Sequence, residues 1–333
     1  MKALLLPVLL ALAFGGCKPA SPPPNAGVSS KPIRVGALYW PGNYWIDIAH
    51  TNGWFKEAGL SVERVDTNAD FFGSLDDLVT GRLDLVVSSF YDFVHLNAQG
   101  KDLVGVLVCD FSTGADALVA RPGIEAVRDL AGKKVAIPNG TYLNYLFSVA
   151  AEREDLDLNT VTLVDVPAER AHVELIAGRV DAIFTFEPMA GEGLEKVQGK
   201  KLFTTADAVG LNGGVAMLRR PFVQERSPDV QALLAVWHRT TEFIRARQDE
   251  AFAIVAAVNK KTPEQVREFA NLDRILDLRE NRTAFTYAAG IESLHGSVKQ
   301  MSSFIAQRGL APKKVDSSEV LDDRFLRALE TSR

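Results

Sequence analysis

One short segment of this sequence occurs twice, and the duplication constrains the fold more than any other feature. The copies, LDDLVTGRLDLVVSS and HVELIAGRVDAIFTF, align on Gly81–Asp84 and Gly178–Asp181. In each copy an amphipathic helical pattern ends at the glycine, and apolar residues typical of a buried strand follow the aspartate. Upstream of each copy, a strand-like run leads into a polar loop and another helix, RVGALYWPGNYW and KVAIPNGTYLNY. The sequence therefore predicts two similar α/β lobes.

Short apolar runs and helical patterns alternate over most of the chain, which is the signature of an α/β fold. The predicted strands are Ile33–Leu38, Ser61–Thr67, Leu83–Ser88, Leu103–Cys109, Ala115–Arg121, Lys134–Ile137, Thr160–Val166, Asp181–Phe186 and Gly213–Leu218. The predicted helices between them include Tyr44–His50, Ser74–Thr80, Thr141–Arg153 and Glu169–Ala177. After Pro228 only helices are predicted, over Val230–Ala246, Asp249–Val258, Pro263–Ala270 and Asn281–Gly309. Because single cores rarely grow beyond about 250–300 residues, the 333-residue length also favours two domains.

The beginning of the chain has the pattern of a bacterial lipoprotein signal. Lys2 provides a positive charge, an apolar stretch follows, and two glycines precede Cys17, although Phe14 stands where leucine is usual. The apolar stretch is shorter than the roughly 20 residues that span a membrane. We expect residues 1–17 to be the signal, with a lipid on Cys17, and the Pro/Ser-rich residues 18–31 to be a flexible tether. The alternative is an ordinary cleaved signal with an incidental cysteine.

The lipid and tether would hold the globular part at the periplasmic or extracellular face of the cell membrane. Composition argues against several other classes of protein. The net charge of -5 and the lack of a long basic run give no electrostatic support for nucleic-acid binding. Two cysteines exclude a disulfide framework, and the five histidines lack metal-ligand spacing, so we expect no metal. Nucleophile-elbow, zinc-protease and phosphate-loop motifs do not occur, so we expect neither an enzyme nor a cofactor.

Several motifs, by their order and spacing, resemble the periplasmic binding proteins for nitrate, taurine, aliphatic sulfonates and thiamine-precursor pyrimidines. The motifs are the aromatic loop within Val35–Trp45, the NGWFKEAGL stretch Asn52–Leu60, the Leu-x-x-Gly-x-Leu-Asp element Leu78–Asp84, the stretch DLAGKKVA from Asp129, and Phe186–Pro188. The resemblance extends from Ile33 to about Arg220, and the helical tail follows it only in general pattern.

This resemblance implies a two-lobe periplasmic-binding-protein fold of type II, with two crossover strands as a hinge. The crossovers are expected near Ala115–Arg121 and Phe203–Leu211. Lobe one would comprise residues 32–117 and 205–333, with the helical C-terminal part packed on it, and lobe two residues 118–204. The implied function is to bind a small organic solute and deliver it to the permease and ATPase of an ABC importer.

Two other functions are compatible with the same fold. One is an exported ligand-binding sensor that serves no permease. The other resembles a thiamine-pyrimidine synthase, which uses its own histidine, pyridoxal phosphate and a cysteine-rich motif. Cys109 is the sole cysteine besides Cys17, so that motif is missing here.

Candidate ligand residues follow from the rule that α/β sheets bind ligands beyond the carboxyl ends of their strands, at helix N-termini. In lobe one they are Tyr39, Trp40, Asn43, Tyr44, Phe72, Gly73, Ser74, Ser88, Ser89, Phe90 and Tyr91. In lobe two they are Asn139, Gly140, Thr141, Thr185 and Glu187. The aromatic rings would stack on the ligand, and the hydroxyls and helix N–H groups would hydrogen-bond to it.

Each of these candidates also has an ordinary structural interpretation. The aromatic residues can fill the core, Ser74 and the Pro138–Thr141 loop can cap helices, and Glu187 can form a salt bridge at the hinge. No arginine lies in these loops, although helix ends and hydroxyls alone can bind an anion. The aromatic residues and Glu187 favour a ligand with a ring or an amino group.

Overall fold

A computed structural model describes residues 27–208, 210–288 and 293–330, which form two α/β lobes. The strands are β1 Ile33–Ala37, β2 Val62–Asp66, β3 Leu85–Ser89, β4 Leu103–Ser112, β5 Asp116–Ala120, β6 Lys134–Ala136, β7 Thr162–Val164, β8 Ala182–Phe186, β9 Lys200–Thr204, β10 Gly213–Arg219 and β11 Asp273–Ile275. The helices are α1 Tyr44–Thr51, α2 Trp54–Glu57, α3 Gly73–Thr80, α4 Phe90–Ala98, α5 Tyr142–Arg153, α6 Ala171–Ile176, α7 Met189–Val197, α8 Arg220–Glu225, α9 Ser227–Ala246, α10 Gln248–Asn259, α11 Pro263–Ala270, α12 Leu278–Phe285, α13 Leu294–Gln307, α14 Ser317–Val320 and α15 Arg324–Glu330.

The two sheets share one plan. The first has the strand order β11-β4-β10-β3-β1-β2, and the second has the order β7-β6-β8-β5-β9. In the first, β1 pairs in parallel with β2 and β3, and β10 runs antiparallel to β3. In the second, β6 pairs in parallel with β7 and β8, and β5 runs antiparallel to β8. The duplication in the sequence is therefore a duplication of sheet topology.

The repeated Gly-Arg-x-Asp segment has the same role in both lobes. Gly81 and Gly178 follow helices α3 and α6 with φ of 83° and 72°, a left-handed conformation that ends a helix and that glycine adopts without a Cβ clash. Asp84 then accepts a hydrogen bond from the backbone N–H of Arg34 at 2.9 Å. Asp181 accepts the equivalent bond from Lys134 at 2.8 Å. The aspartate thus ties the segment after each helix to β1 in the first sheet and to β6 in the second.

Two connections join the lobes, one between β4 and β5 and one between β9 and β10. The first consists of residues 113–115, and the second includes residues 205–208 and 210–212. The helices after β10 pack on the first sheet and its helices, with α9 and α10 against α1 and α13 against α4. This arrangement confirms the predicted fold class, with its C-terminal helices on lobe one. The lobe boundaries at 117/118 and 204/205 stay a prediction.

Three details of the secondary structure differ from the prediction. Strand β9 was not predicted, because Gly199 and two lysines interrupt its apolar pattern. Strand β11 pairs with β4 inside the region predicted to be only helical. The long helix predicted over Asn281–Gly309 is wrong, since α12 ends at Phe285 and α13 begins at Leu294.

The predicted signal, Cys17 and most of the predicted tether lie outside the described residues. Among the residues that the structure does describe, no helix combines the length and apolar character needed to cross a membrane.

Candidate ligand-binding cleft

A small cavity lies between the two lobes, at the carboxyl ends of strands β1, β3 and β8. Its lining residues come from both lobes and the connections: Leu38, Trp40, Asn43, Phe71, Val87, Ser88, Ser89, Asp110, Tyr142, Phe186, Asn212 and Gly214. Its volume is about 30 Å³. A cavity of this size has room for about two water molecules, so the lobes are nearly closed on each other.

Aromatic side chains from both lobes meet across this cavity. Trp40 of lobe one contacts Phe186 of lobe two edge-on, with ring centroids 6.2 Å apart and an interplanar angle of 88°. Phe72, just outside the lining, lies 6.4 Å from Tyr142. Deeper in the closed interface, Tyr91 stacks on Tyr145 at 5.1 Å and 10°. The closed arrangement is therefore held largely by ring contacts.

Asp110 is the most unusual group in the cavity wall. It is 1% exposed, and Oδ2 accepts a hydrogen bond from Trp40 Nε1 at 2.7 Å. Oδ1 is buried and has no hydrogen-bond partner among the described residues. Burial raises the pKa of Asp110 to about 6, while interactions with Asp273 and Trp40 oppose this shift. Both oxygens of buried Asp273 are also without a partner in the described chain, and the two adjacent carboxyl groups can share a proton.

A second buried carboxyl group, Asp92, bridges the lobes. Its Oδ2 accepts a hydrogen bond from the Ser89 hydroxyl at 2.7 Å, and Oδ1 accepts one from the backbone N–H of Tyr142 at 3.1 Å. Tyr142 is the first residue of α5, so the carboxyl group of lobe one caps a helix of lobe two. Burial raises the pKa of Asp92 to about 7, even though these hydrogen bonds favour the charged form.

Asp116 connects the cavity wall to the crossovers. Its carboxyl oxygens accept hydrogen bonds from the Tyr142 hydroxyl at 2.8 Å and the Asn212 amide at 2.9 Å. Beside it, the Thr205 hydroxyl contacts Ser112 Oγ at 2.7 Å and accepts from Gly114 N at 2.9 Å. Burial raises the pKa of Asp116 as well. Both connections between the lobes therefore meet in one buried polar network.

The structure brings four of the predicted ligand residues to the cavity: Trp40, Asn43, Ser88 and Ser89. The hydroxyl of Ser89 is used by Asp92, whereas that of Ser88 has only a long contact of 3.5 Å with the same carboxyl group. The Asn43 side chain is buried, and none of the hydrogen bonds of the described residues involves its amide. Ser88 and Asn43 thus have hydrogen-bonding capacity left for a ligand.

The other aromatic candidates of lobe one lie outside the cavity. Tyr44, Phe90 and Tyr91 are buried in the hydrophobic core. Tyr39 packs 5.3 Å from Phe269 and lines a separate depression. Tyr44, Phe90 and Tyr91 thus occupy the core positions of the alternative interpretation, whereas Tyr39 is only partly buried.

The remaining candidates mostly act within their own loops. Phe72 contacts Phe71, which itself lines the cavity; Gly73 N donates to Asp70, and the Ser74 hydroxyl donates to Phe71 O. In lobe two, Asn139 N donates to Asp165, Gly140 has φ of 74°, and the Thr141 hydroxyl donates to Pro138 O. The Thr185 hydroxyl donates to Ala168 O, and Glu187 pairs with Lys201 at 2.8 Å. For Glu187 this is the salt-bridge interpretation.

Sequence reasoning did not find Asp110, Asp116 or Asp273. A signal for the first was present, because Asp110 follows the apolar run LVGVLVC, and a carboxyl group inside a strand that reads as fully buried marks a functional candidate. Asn212 comes from the second connection and Gly214 from the start of β10, and the fold alone brings them to the cavity.

The family model described as NMT1/THI5 like matches residues 44–251. The chain belongs to this family. An aliphatic sulfonates-binding protein of Bacillus subtilis (strain 168) is 23% identical over 296 residues, which cover 85% of this chain and 84% of that protein.

Two solved structures show how widely this fold is used. The periplasmic aliphatic sulphonate binding protein SsuA from Escherichia coli has a TM-score of 0.72 and 19% identity, covering 89% of this chain and 93% of that one. The desulfurization enzyme DSZB has a TM-score of 0.65 and 15% identity, covering 91% and 100%. The fold is thus that of periplasmic binding proteins, and an enzyme also has it.

Proposed function

We propose that this protein is the solute-binding component of an ABC importer, held outside the cytoplasm by a lipid on Cys17. It captures a small organic solute between its lobes and presents the closed form to the permease. The lipoprotein-like signal and the Pro/Ser-rich tether in the sequence support this location.

The cavity is the observation that carries the proposal. Its walls come from both lobes, and both crossovers contact it through the Asp116–Asn212 network. A ligand that contacts both lobes stabilises their closed arrangement relative to an open one. The relatives are named as sulfonate-binding proteins, and these names agree with a solute-binding role.

Catalysis is the second function to weigh, since DSZB shares the fold. None of the described residues that line the cavity is a histidine, cysteine or lysine. Cys109 is buried, and burial raises the pKa of its thiol, which makes it a poor nucleophile. The site therefore favours binding over nucleophilic catalysis.

Native mass spectrometry of freshly purified protein tests the proposal. We expect one small molecule bound per chain, released on unfolding, and a rise in the thermal midpoint when it is added back. A protein that carries no solute, and that no compound in a broad solute screen stabilises, would contradict a binding role.

The lipid anchor has a separate test. Cys17→Ser removes the sulfur that would carry the lipid, so the variant should leave the membrane fraction while retaining its solute. A variant that still sediments with membranes and incorporates labelled palmitate would show that the anchor is assigned wrongly.

A further inference from the structure

Among the described residues, the cavity offers an anion no positively charged partner. No lysine or arginine belongs to its lining among the described residues. Lys201, on the neighbouring strand β9, is paired with Glu187. The remaining means of binding an anion would be neutral donors, such as the Asn43 amide and the Ser88 hydroxyl, and the backbone N–H groups at helix N-termini.

At α5 and α3 several of these N–H groups already donate to carboxyl groups of the protein itself, and at α4 the N–H of Asp92 donates to the Ser89 hydroxyl. At α5, Tyr142 N donates to Asp92 at 3.1 Å, and Asn139 N in the preceding loop donates to Asp165 at 3.0 Å. At α3, Gly73 N donates to Asp70 at 2.9 Å. At the ends of α5 and α3 a sulfonate or nitrate would have to displace a carboxyl group, and it would then lie close to the charge it displaced.

Asp110 makes the cavity more suitable for a cation than for an anion. Its free Oδ1 lies against Gly42 and Gly214, where an added Cβ would approach within 2.0 Å and 2.1 Å of that oxygen. Any other side chain at these glycines would therefore displace the carboxyl group from its place. Trp40 and Phe186 line the same cavity, and the faces of aromatic rings attract cations.

The geometry points to a small organic cation as the solute: an ammonium or amidinium group donates its N–H to Asp110 Oδ1, and the aromatic walls enclose the rest of the molecule. This inference rests on the proposed solute-binding function and adds the charge of the solute. It differs from the sulfonates named for the relatives, whose ligand has the opposite sign.

The other acidic groups around Asp110 strengthen this preference. Asp273 approaches it from β11 and Asp116 from β5, and both are buried. In the empty cavity a proton shared between Asp110 and Asp273 limits the repulsion. A bound cation provides a permanent positive charge in its place, so binding should release part of a proton to the buffer.

Isothermal titration with three probes that share one benzyl skeleton tests the inference. Benzylammonium, benzyl alcohol and phenylmethanesulfonate carry a cationic, a neutral and an anionic head group on the same skeleton, and each is titrated into the full chain in neutral buffer. We expect benzylammonium to bind with one-to-one stoichiometry, at least about tenfold tighter than the alcohol. The sulfonate should give no binding heat.

Asp110→Asn keeps the shape of the side chain and removes its charge, so benzylammonium affinity should fall by about tenfold or more. Asp76→Asn makes the same change on the exposed face of α3 and should leave the affinity unaltered. Even if Asp110→Asn does not fold, the three probes still decide the question with the wild-type protein. The inference of a cationic solute would be wrong if phenylmethanesulfonate bound one-to-one and benzylammonium did not, or if benzylammonium did not bind at all. The proposed function would fail separately, through native mass spectra without any bound solute.

Discussion

Asp92 is a titratable side chain in the contact between the two lobes, so the stability of this contact depends on pH. Its carboxyl group is fully buried in the closed form and receives hydrogen bonds from Ser89 and from the first N–H of α5. No lysine or arginine of the described residues is among its hydrogen-bond partners. Burial therefore raises its pKa to about 7, compared with about 3.9 for an exposed aspartate.

Stability should therefore fall as the pH rises. Between the unfolded pKa of about 4 and the folded pKa of about 7, the folded protein holds a proton on Asp92 that the unfolded chain has lost. Asp110 contributes in the same direction up to about pH 6. We expect the thermal midpoint to decrease from about pH 5 to about pH 8, and to decrease less in Asp92→Asn, where the amide does not titrate. A midpoint that rises over this range, or an unchanged slope in the variant, would contradict this role of Asp92.

Glu187 should matter for stability and not for solute binding. It pairs with Lys201 and accepts a hydrogen bond from Gly191 N at 2.7 Å, outside the cavity. Glu187→Gln should cost about 1 kcal/mol in urea unfolding and leave the affinity for the solute found by native mass spectrometry within about twofold. Asn43→Ala, inside the cavity, should weaken that affinity by up to about tenfold. If Glu187→Gln weakened solute binding more than Asn43→Ala did, the site would lie on the outer face of the cleft.

The sequence predicted the loops that line the cavity more accurately than the individual lining residues. Trp40, Asn43, Ser88 and Ser89 line the cavity, because the ends of parallel strands meet at one edge of a sheet. The loops around Phe72 and Glu187 were also predicted, but their lining residues are Phe71 and Phe186, one position away in each case. At the end of β8 a shift of one residue reverses the direction of a side chain. Phe71 and Phe72 lie in the turn before α3, where no regular periodicity predicts which side chain faces the cavity.

At the scale of elements, the duplicated segment carries two aspartates in the same place with different surroundings. Asp84 accepts from Arg34 N and also pairs with the guanidinium groups of Arg34 and Arg219, each at 3.0 Å. Asp181 accepts from Lys134 N and has no ion pair within the described chain. Burial opposes ionisation of Asp84, but the arginine interactions prevail and lower its pKa.

The same substitution should therefore have unequal effects in the two lobes. Asp84→Asn leaves two arginines without their carboxylate and should cost about 3 kcal/mol, whereas Asp181→Asn should cost about 1 kcal/mol. Urea unfolding of both variants measures the difference. Equal losses would show that the backbone hydrogen bond, and not the ion pairs, dominates at both positions.

The elements that sequence reasoning found are those with uninterrupted periodicity, such as β3, β8 and α5. It missed β9 and β11, which gain their strand conformation from pairing with β5 and β4. Pairing of this kind is a tertiary effect that a local pattern does not contain. The same limit explains the predicted helix over Asn281–Gly309, in which two amphipathic helices were joined into one.

At the scale of the whole molecule, the proposed function requires the closed cavity to open before a solute can enter. Its volume of about 30 Å³ does not admit a molecule of several heavy atoms. The proposed function therefore requires the lobes to separate about the connections, which include residues 113–115, 205–208 and 210–212, and to close again over the solute. The ring contacts between Trp40 and Phe186 and the hydrogen bond from Tyr142 N to Asp92 break when they open.

Small-angle X-ray scattering with and without solute tests this account most directly. One sample contains the protein loaded with the solute found by native mass spectrometry, and the other contains the same protein refolded after the solute has been removed. We expect the loaded protein to scatter as the closed structure does. The empty protein should have a larger radius of gyration, because its lobes part. Two superimposable curves, both matching the closed structure, would contradict a cleft that opens and closes around its solute.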